Sequence, residues 1–483
     1  MTTEWVHIVL VIVIPILFIS TFLYVYLDKE TGPKDEKYQV HFRLRQGKFN
    51  IDNIKRGASV IGAAGSGKTE SVIYNFLQHF SSHNFCGILH DYKNFELTEM
   101  AYPLFKDNDK VKFYTIAFDQ IHYRVNPIAP RYLHNEESVN EISKVLMENL
   151  LEMNESNTNS TTKFFNDAVE GLMAGLIWKL KTTYPQFCTL PHLIAIFQTM
   201  DTRTMAAFLA SDLTSKGMAS AFINGMDSER QTAGVRSTLA NALKKISSRQ
   251  LFMVLSKDEV PLNINNDENP AVISLVNHPK YESAFSPIIA AVLHTVIKEM
   301  SVRHQKPSFL LMEEAPTLRL PNMHRIPATL RSYDIATIYV MQDKVQNEIL
   351  YGDKISRAIL SNLSYQFFGK VNDPDTAKYY ERFFEIVRKE TTSVNRGHNL
   401  NFDTRITTGE KEVAKRRADM FFRLQQGEFI AFADGKDTKV QFKLQHILRE
   451  VPRNEREFSD EDLRLNFEKI HREARAINRI KKE

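Results

Sequence analysis

The chain has 483 residues, 43% of them hydrophobic, and a formal net charge of +4. That is ample material for a large core, and too small a charge to demand or forbid a nucleic-acid partner. Its two cysteines, Cys86 and Cys188, lie far apart, no CxxC or HExxH pattern occurs, and the 15 histidines show no ligand spacing, which argues against a disulfide framework and a zinc site.

The first expected element is a membrane anchor. Residues 5–27 contain no Asp, Glu, Lys or Arg, and a helix rising about 1.5 Å per residue over that length crosses a hydrocarbon core of roughly 30 Å. A cleaved leader fits poorly: Glu4 precedes the run with no Lys or Arg, the run is too long, and no small-residue cleavage site follows. Lys29, Lys34 and Lys37 follow it, so the positive-inside rule predicts an N-terminus outside and the remainder in the cytoplasm. His7 and Pro15 read as an interfacial polar residue and a tolerated kink.

After a polar linker over 28–37, alternating text from Tyr38 leads to a short strand over 58–61, a glycine-rich turn and a helix over 70–80. Apolar runs at 86–89, 111–117, 271–276, 309–312, 335–341 and 365–368 are bounded by turn or charge signals. Such runs, spaced by helical text, predict buried parallel strands of an α/β sheet. Between 130 and 258 strand patterns almost vanish and helical stretches at 163–180, 190–198 and 232–246 predict an inserted all-α subdomain. Residues 154–162, rich in Asn, Ser and Thr, read as a loop, and 451–483 as a charged tail forming a solvated helix. The expected organisation is an anchor over 1–30, a discontinuous nucleotide-binding domain over 38–129 and 259–450, the insert over 130–258, and the tail.

Gly62, Ala63, Ala64, Gly65, Ser66, Gly67, Lys68 and Thr69 satisfy GxxxxGK[ST] between that strand and that helix. In this P-loop the backbone N–H groups are expected to cradle phosphates, Lys68 to reach the β- and γ-phosphates of ATP, and Thr69 to ligate Mg²⁺. Lys68 is expected to face solvent when no nucleotide is bound. The run 309–312 ends in Glu313 and Glu314: the first is expected to hold the metal shell, the second to polarise the attacking water. Glu313 stands where aspartate is usual, but its longer chain still reaches a metal-bound water. Gln342, after the run 335–341, is expected to sense the γ-phosphate from the strand beside the P-loop strand.

The order of these motifs is similar to that of the type IV coupling proteins, the conjugative DNA-transfer ATPases of type IV secretion systems. The P-loop is followed by Asp91-Tyr92-Lys93, Asn126-Pro127, the insert, Met312-Glu313-Glu314-Ala315-Pro316, Arg331, Gln342, Ser361-Asn362 and Gly369. Segments 371–377 and 426–430 extend the likeness, which covers roughly 48–444. The resemblance implies a RecA-like P-loop ATPase domain, an inner-membrane homo-hexamer, and relaxase-bound single-stranded DNA passed to secretion-channel subunits. Many members carry two membrane helices where this sequence has one. The resemblance also places Arg331 at a subunit boundary as an arginine finger acting in trans, with Arg325 and Arg357 as rivals. Lys93, Arg124, Lys244, Lys245 and Arg249 are candidate DNA contacts. Two other readings are an effector-recruitment platform and a DNA translocase unrelated to conjugation.

Overall fold

A computed structural model describes residues 14, 15, 20, 35–152, 160–396, 404–443, 445–454 and 456–479. The expected anchor over 5–27 lies outside the described residues apart from three positions. Among the described residues no helix is long and apolar enough to cross a membrane.

The apolar runs form strands because both faces of their sheet are covered. Along β8 (Ile335–Met341), Ile335, Tyr339 and Met341 pack into one core while Ala336, Ile338 and Val340 pack into another. β3 (Ala58–Ile61) and β7 (Ser308–Met312) alternate in the same way. Full burial on both sides explains near-continuous apolar text where a half-exposed strand would alternate. With β4 (Cys86–Asp91), β5 (Lys112–Ala117), β6 (Ala271–Val276), β9 (Tyr365–Phe368), β12 (Glu428–Ala433) and β13 (Lys436–Gln441), they make a nine-stranded sheet in the order β13-β12-β9-β3-β8-β7-β4-β6-β5. The pairings from β9 to β5 are parallel, while β12 runs antiparallel to both β9 and β13.

Two hairpins stand apart from that sheet. β1 (Val40–Phe42) and β2 (Phe49–Ile51) are joined to its margin through Leu44 and Phe442. β10 (Ile386–Arg396) and β11 (Thr404–Ala414) form a long ribbon that the sequence reading did not anticipate.

Between β5 and β6 the described elements are helical. They include Glu136–Leu150, Ser160–Thr183, Leu190–Thr199, Glu229–Lys244 and Arg249–Val254. Asn135 and Ser138 close a reciprocal capping box on the first of these. Ser160 to Thr162, read from sequence as loop, are the opening turn of a helix; the loop's remaining positions lie outside the described residues.

The tail also departs from expectation. Its helix Asp460–Arg479 is not wholly solvated: Ile470, Ala474 and Ile477 are buried in the core shared with the insert, Phe467 and His471 pack on Phe252, and His192 meets Glu473 at 3.0 Å.

One aromatic group fastens the hairpin before β3 and the segment after β13 to the sheet. Phe367 of β9 lies 5.3 Å, 5.9 Å, 6.0 Å and 6.4 Å between ring centroids from Phe42, Phe49, Phe76 and Phe442. Truncating it leaves a cavity that four rings from four segments cannot all relax to fill, so Phe367→Ala is expected to lose about 3–5 kcal/mol. Chemical denaturation followed by tyrosine and tryptophan fluorescence checks this, an unchanged midpoint contradicting it.

Candidate nucleotide site

The parallel pairing β3-β8-β7-β4 brings four strand ends to one edge of the sheet, and the segments leaving them build a cleft of about 240 Å³. Its lining includes Ser66, Gly67, Lys68, Thr69, Lys93, Gln342 and Gln426. The loop leaves β3 with Gly65 at φ +75° and Gly67 at φ +85°, a region that side chains with a Cβ avoid. Gly67 is also confined in space: a Cβ there would meet the Gly427 nitrogen at 2.9 Å, and that N–H donates to Ser66 O at 2.9 Å. Gln426-Gly427, known from sequence only as part of the family likeness, is thus a wall of the P-loop.

The helix expected over 70–80 begins as a wide π turn, Thr69–Ile73, and continues as Tyr74–Ser82. Its first turn places Thr69, half-buried, at the cleft. Lys68 is not solvent-facing: it is 7% exposed, and its Nζ donates to Gly62 O at 2.5 Å and Ala63 O at 3.5 Å. The curled loop turns its own carbonyls inward, and the flexible ammonium satisfies them. Burial pulls the Lys68 ammonium below its ordinary pKa, with Glu314 opposing.

Glu313 and Glu314 leave the end of β7 and are 1% and 3% exposed. Glu314 sits at φ +44°, ψ +51°, a left-handed conformation that costs a non-glycine residue and marks a constrained position. Thr317 holds the turn, its N–H and hydroxyl donating to Glu314 O at 3.0 Å and 2.8 Å. The turned Glu314 accepts at Oε1 from Gln342 Nε2 at 3.0 Å. Because β8 lies between β3 and β7, Gln342 stands between the P-loop and the acids.

Glu313 Oε2 is buried without a hydrogen-bond partner, and so is Ser66 Oγ. Burial, with the nearby Asp91 charge next, pushes the Glu313 carboxyl up to about 8. Two orphaned polar atoms of this kind beside a phosphate-binding loop fit a site built to receive further ligands, among them a divalent cation.

The remaining predicted residues do not converge here. Arg331 is exposed at the end of the helix Ile326–Arg331, which precedes β8, whereas Gln342 follows β8. Seven strand residues at about 3.3 Å each separate them by roughly 20 Å, so Arg331 is remote from this subunit's own cleft. Of its rivals, Arg325 is exposed and Arg357 is paired with Asp353 at 2.5 Å.

Three of the five candidate DNA contacts are otherwise engaged. Lys93 lines the nucleotide cleft, Arg124 pairs with Glu259 at 2.5 Å, and Lys245 pairs with Glu152 at 2.8 Å. Lys244 and Arg249 are exposed. The sequence carried no sign of Lys93's position, which depends on β4 pairing with β7 in register, His90 opposite Met312.

The Glu313 environment gives a pH test. A carboxyl whose folded pKa is raised binds its proton more tightly folded than unfolded, so folding stability falls as pH rises from its ordinary range towards 8. Glu313→Gln removes that dependence. Nucleotide-free Glu313→Gln protein is expected to melt above the unsubstituted protein, by more at pH 8 than at pH 6; equal or lower melting at pH 8 contradicts the burial argument.

No curated protein matches this chain in sequence. Among solved structures, it is similar to the bacterial conjugative coupling protein TrwBdeltaN70 in its unbound form, with a TM-score of 0.64 and 12% identity over 88% of this chain and 92% of that one. It is similar also to the plasmid coupling protein TrwB in complex with the ATP analogue ADPNP, with a TM-score of 0.62 and 13% identity over 82% of this chain and 87% of that one. VirB4 of Thermoanaerobacter pseudethanolicus matches with a TM-score of 0.50 and 11% identity, over 86% of this chain and 98% of that one. These likenesses concern the fold: a mixed α/β architecture with a large, mainly parallel sheet and a helical insertion. The model of the type IV secretion-system coupling protein DNA-binding domain matches residues 135–421, more than half of the sequence and spanning both the insert and the acid-bearing strand, and the chain therefore belongs to the family of type IV secretion-system coupling proteins.

Proposed function

We propose that this protein is a membrane-anchored, ATP-dependent motor that couples relaxase-bound single-stranded DNA to a type IV secretion channel and pumps it during conjugation. The observation that carries the reading is the convergence, at one sheet edge, of the P-loop with Glu313, Glu314 and Gln342. Family membership supports the coupling role, and the DNA-binding description of the matched domain supports the cargo class. Nucleotide complexes of TrwB, with ADPNP and with ADP and Mg²⁺, support ATP and magnesium as ligands.

In this reading the glycine-rich turn presents its N–H groups and Lys68 to the phosphates. Lys68 must release the Gly62 and Ala63 carbonyls to do so. Thr69 and Glu313 hold Mg²⁺, which when bound offsets phosphate charge as a Lewis acid. Glu314, turned by its left-handed backbone and steadied by Gln342, orients the attacking water and takes its proton as bond formation proceeds. Gln342 connects that carboxylate to β8, so loss of the terminal phosphate is felt in the central strand.

Residues 5–27 serve as the anchor, with the N-terminus outside the inner membrane, and the subunits assemble as a homo-hexamer. Arg331, remote from its own cleft, acts on the ATP of a neighbour. A guanidinium supplied across an interface offsets charge developing on the γ-phosphate and adds several powers of ten in rate.

ATP turnover by the full chain, with and without single-stranded DNA, tests the motor reading. Stimulation by DNA is expected. Lys68→Ala is expected to abolish turnover and weaken nucleotide binding, and Glu314→Gln to retain binding while losing at least about 100-fold in rate. Normal turnover by Glu314→Gln with a dead Glu313→Gln would reverse the two acids.

The trans role has its own test. A ring interface is heterologous, so each subunit gives its arginine to one neighbour and receives one from the other. Arg331→Ala and Lys68→Ala subunits are each expected to be inactive alone and to regain part of the activity when mixed, because some interfaces then join an intact P-loop to an intact arginine. No recovery in demonstrably mixed rings, or full activity of Arg331→Ala alone, counts against it.

A further inference from the structure

Lys93 occupies a position that the nucleotide reading leaves without a task. It lies two residues beyond β4, and β4 pairs with β7, so its side chain arrives beside the acids that follow β7. The turn that delivers it is fixed. The buried Asp91 carboxylate accepts from the backbone nitrogens of Lys93, Leu97 and Thr98 at 3.1, 3.1 and 2.7 Å, and from the Thr98 hydroxyl at 2.5 Å. Asn94 N–H donates to Asn277 O at 3.0 Å, and Asn94 and Phe95 are held at φ +50° and +74°. A surface lysine whose only task is solubility needs no such support.

Its ammonium stands 3.6 Å from Glu313 Oε1, 3.8 Å from Glu314 Oε1 and 3.7 Å from Glu96 Oε2. Each separation exceeds an ordinary charged hydrogen bond of about 2.7–2.9 Å. Lys93 therefore faces three acidic side chains without being locked to any, whereas Lys68 is tied to two carbonyls of its own loop. It is 36% exposed at the side chain and faces the cleft across from the P-loop. A polyphosphate entering beside this acidic cluster needs more than one lysine to offset its charge.

We propose that Lys93 is a second phosphate-facing cation, which guards the acid pair before nucleotide binds and then exchanges Glu313 for the terminal phosphate, leaving Glu313 to the metal it would hold with Thr69. This rests on the nucleotide reading above and adds a residue to it. Lys93 distinguishes tri- from diphosphate, because only the triphosphate carries the group it meets.

The test compares the affinity of full-length protein in detergent for a non-hydrolysable ATP analogue and for ADP, each with Mg²⁺, by calorimetry. A charge-assisted hydrogen bond of about 1.5–3 kcal/mol corresponds to a loss of about tenfold or more. Lys93→Met is expected to weaken the triphosphate by at least about tenfold and ADP by no more than about twofold, with Lys93→Arg restoring part of the difference. Equal weakening of both ligands assigns Lys93 to shaping the pocket and overturns the proposal, as does no change in either. Failure of the unsubstituted protein to bind either nucleotide overturns instead the reading on which the proposal stands.

Discussion

The backbone pairing of β8 with β3 on one side and β7 on the other, Val60 opposite Val340 and Leu311 opposite Ile338, determines where the chemistry of this chain is assembled. Parallel strands end at the same edge, so residues 62–69, 313–314 and 342 meet although some 280 positions separate the first from the last. A shift of one residue in either ladder would exchange the two faces of the strand. Here it would also move Gln342 away from Glu314 and expose one of the two cores. The same hydrophobic alternation that stabilises the sheet therefore sets the geometry of the cleft.

At that edge the folded chain concentrates charge that isolated strands would not tolerate. Two acids are almost fully buried, one with an oxygen lacking a partner, and a third, Asp91, is committed to its own turn. Burial lowers the Lys93 ammonium, but Glu313, Glu96 and Glu314 outweigh it and hold the group above its ordinary pKa, so it stays charged beside them. Unpaired buried polar atoms and left-handed backbone at Glu314 are costs to stability that packing elsewhere, such as the ring cluster around Phe367, offsets. Glu313 Oε2, Ser66 Oγ and the Glu314 backbone place part of that cost where ligands are to be received.

Much of this was legible in sequence because it rests on local or periodic signals. Six of the seven parallel strands read as apolar runs since both faces are buried, the edge strand β5 being buried only from Thr115 to Ala117, and the P-loop reads from glycines at fixed spacing. What escaped depended on partners distant in sequence. β10 and β11 pair through backbone hydrogen bonds along largely polar text, Thr391 opposite Gly409 and Glu390 opposite Glu410, so no apolar period announces them. The tail did carry a clue, Ile470, Ala474 and Ile477 at helical spacing, but among so many charges it read as a solvated helix. Lys68 appeared solvent-facing because a motif specifies what a lysine reaches with ligand present, not which carbonyls it satisfies without one. Lys93, read as a possible DNA contact, acquires its meaning only from the register between β4 and β7.

The helical insert is fastened directly to the acid wall of the cleft, while the P-loop wall is tied to the segment that leads to the tail helix. On the acid side, Asn149, near the end of the helix Glu136–Leu150, accepts from Arg319 N at 2.9 Å and donates to Arg319 O at 2.8 Å, its amide imitating a strand partner. The Arg319 side chain meets Glu148 at 3.3 Å and Leu350 O at 2.9 Å. Arg319 is five residues beyond Glu314, across a turn held by Thr317, so that acid is linked to the insert through short, partly buried hydrogen bonds. On the P-loop side, Arg449 pairs with Glu70, next to Thr69, at 2.7 Å and with Glu99 at 2.5 Å. Further along the same segment, the tail helix buries Ile470, Ala474 and Ile477 against the insert. The insert is therefore tied directly to the acid wall, and to the P-loop wall only by way of Arg449 and the tail helix. Closely packed helices yield by discrete rearrangement rather than by continuous deformation, so a shift of the acid wall would reach the insert as a change of packing.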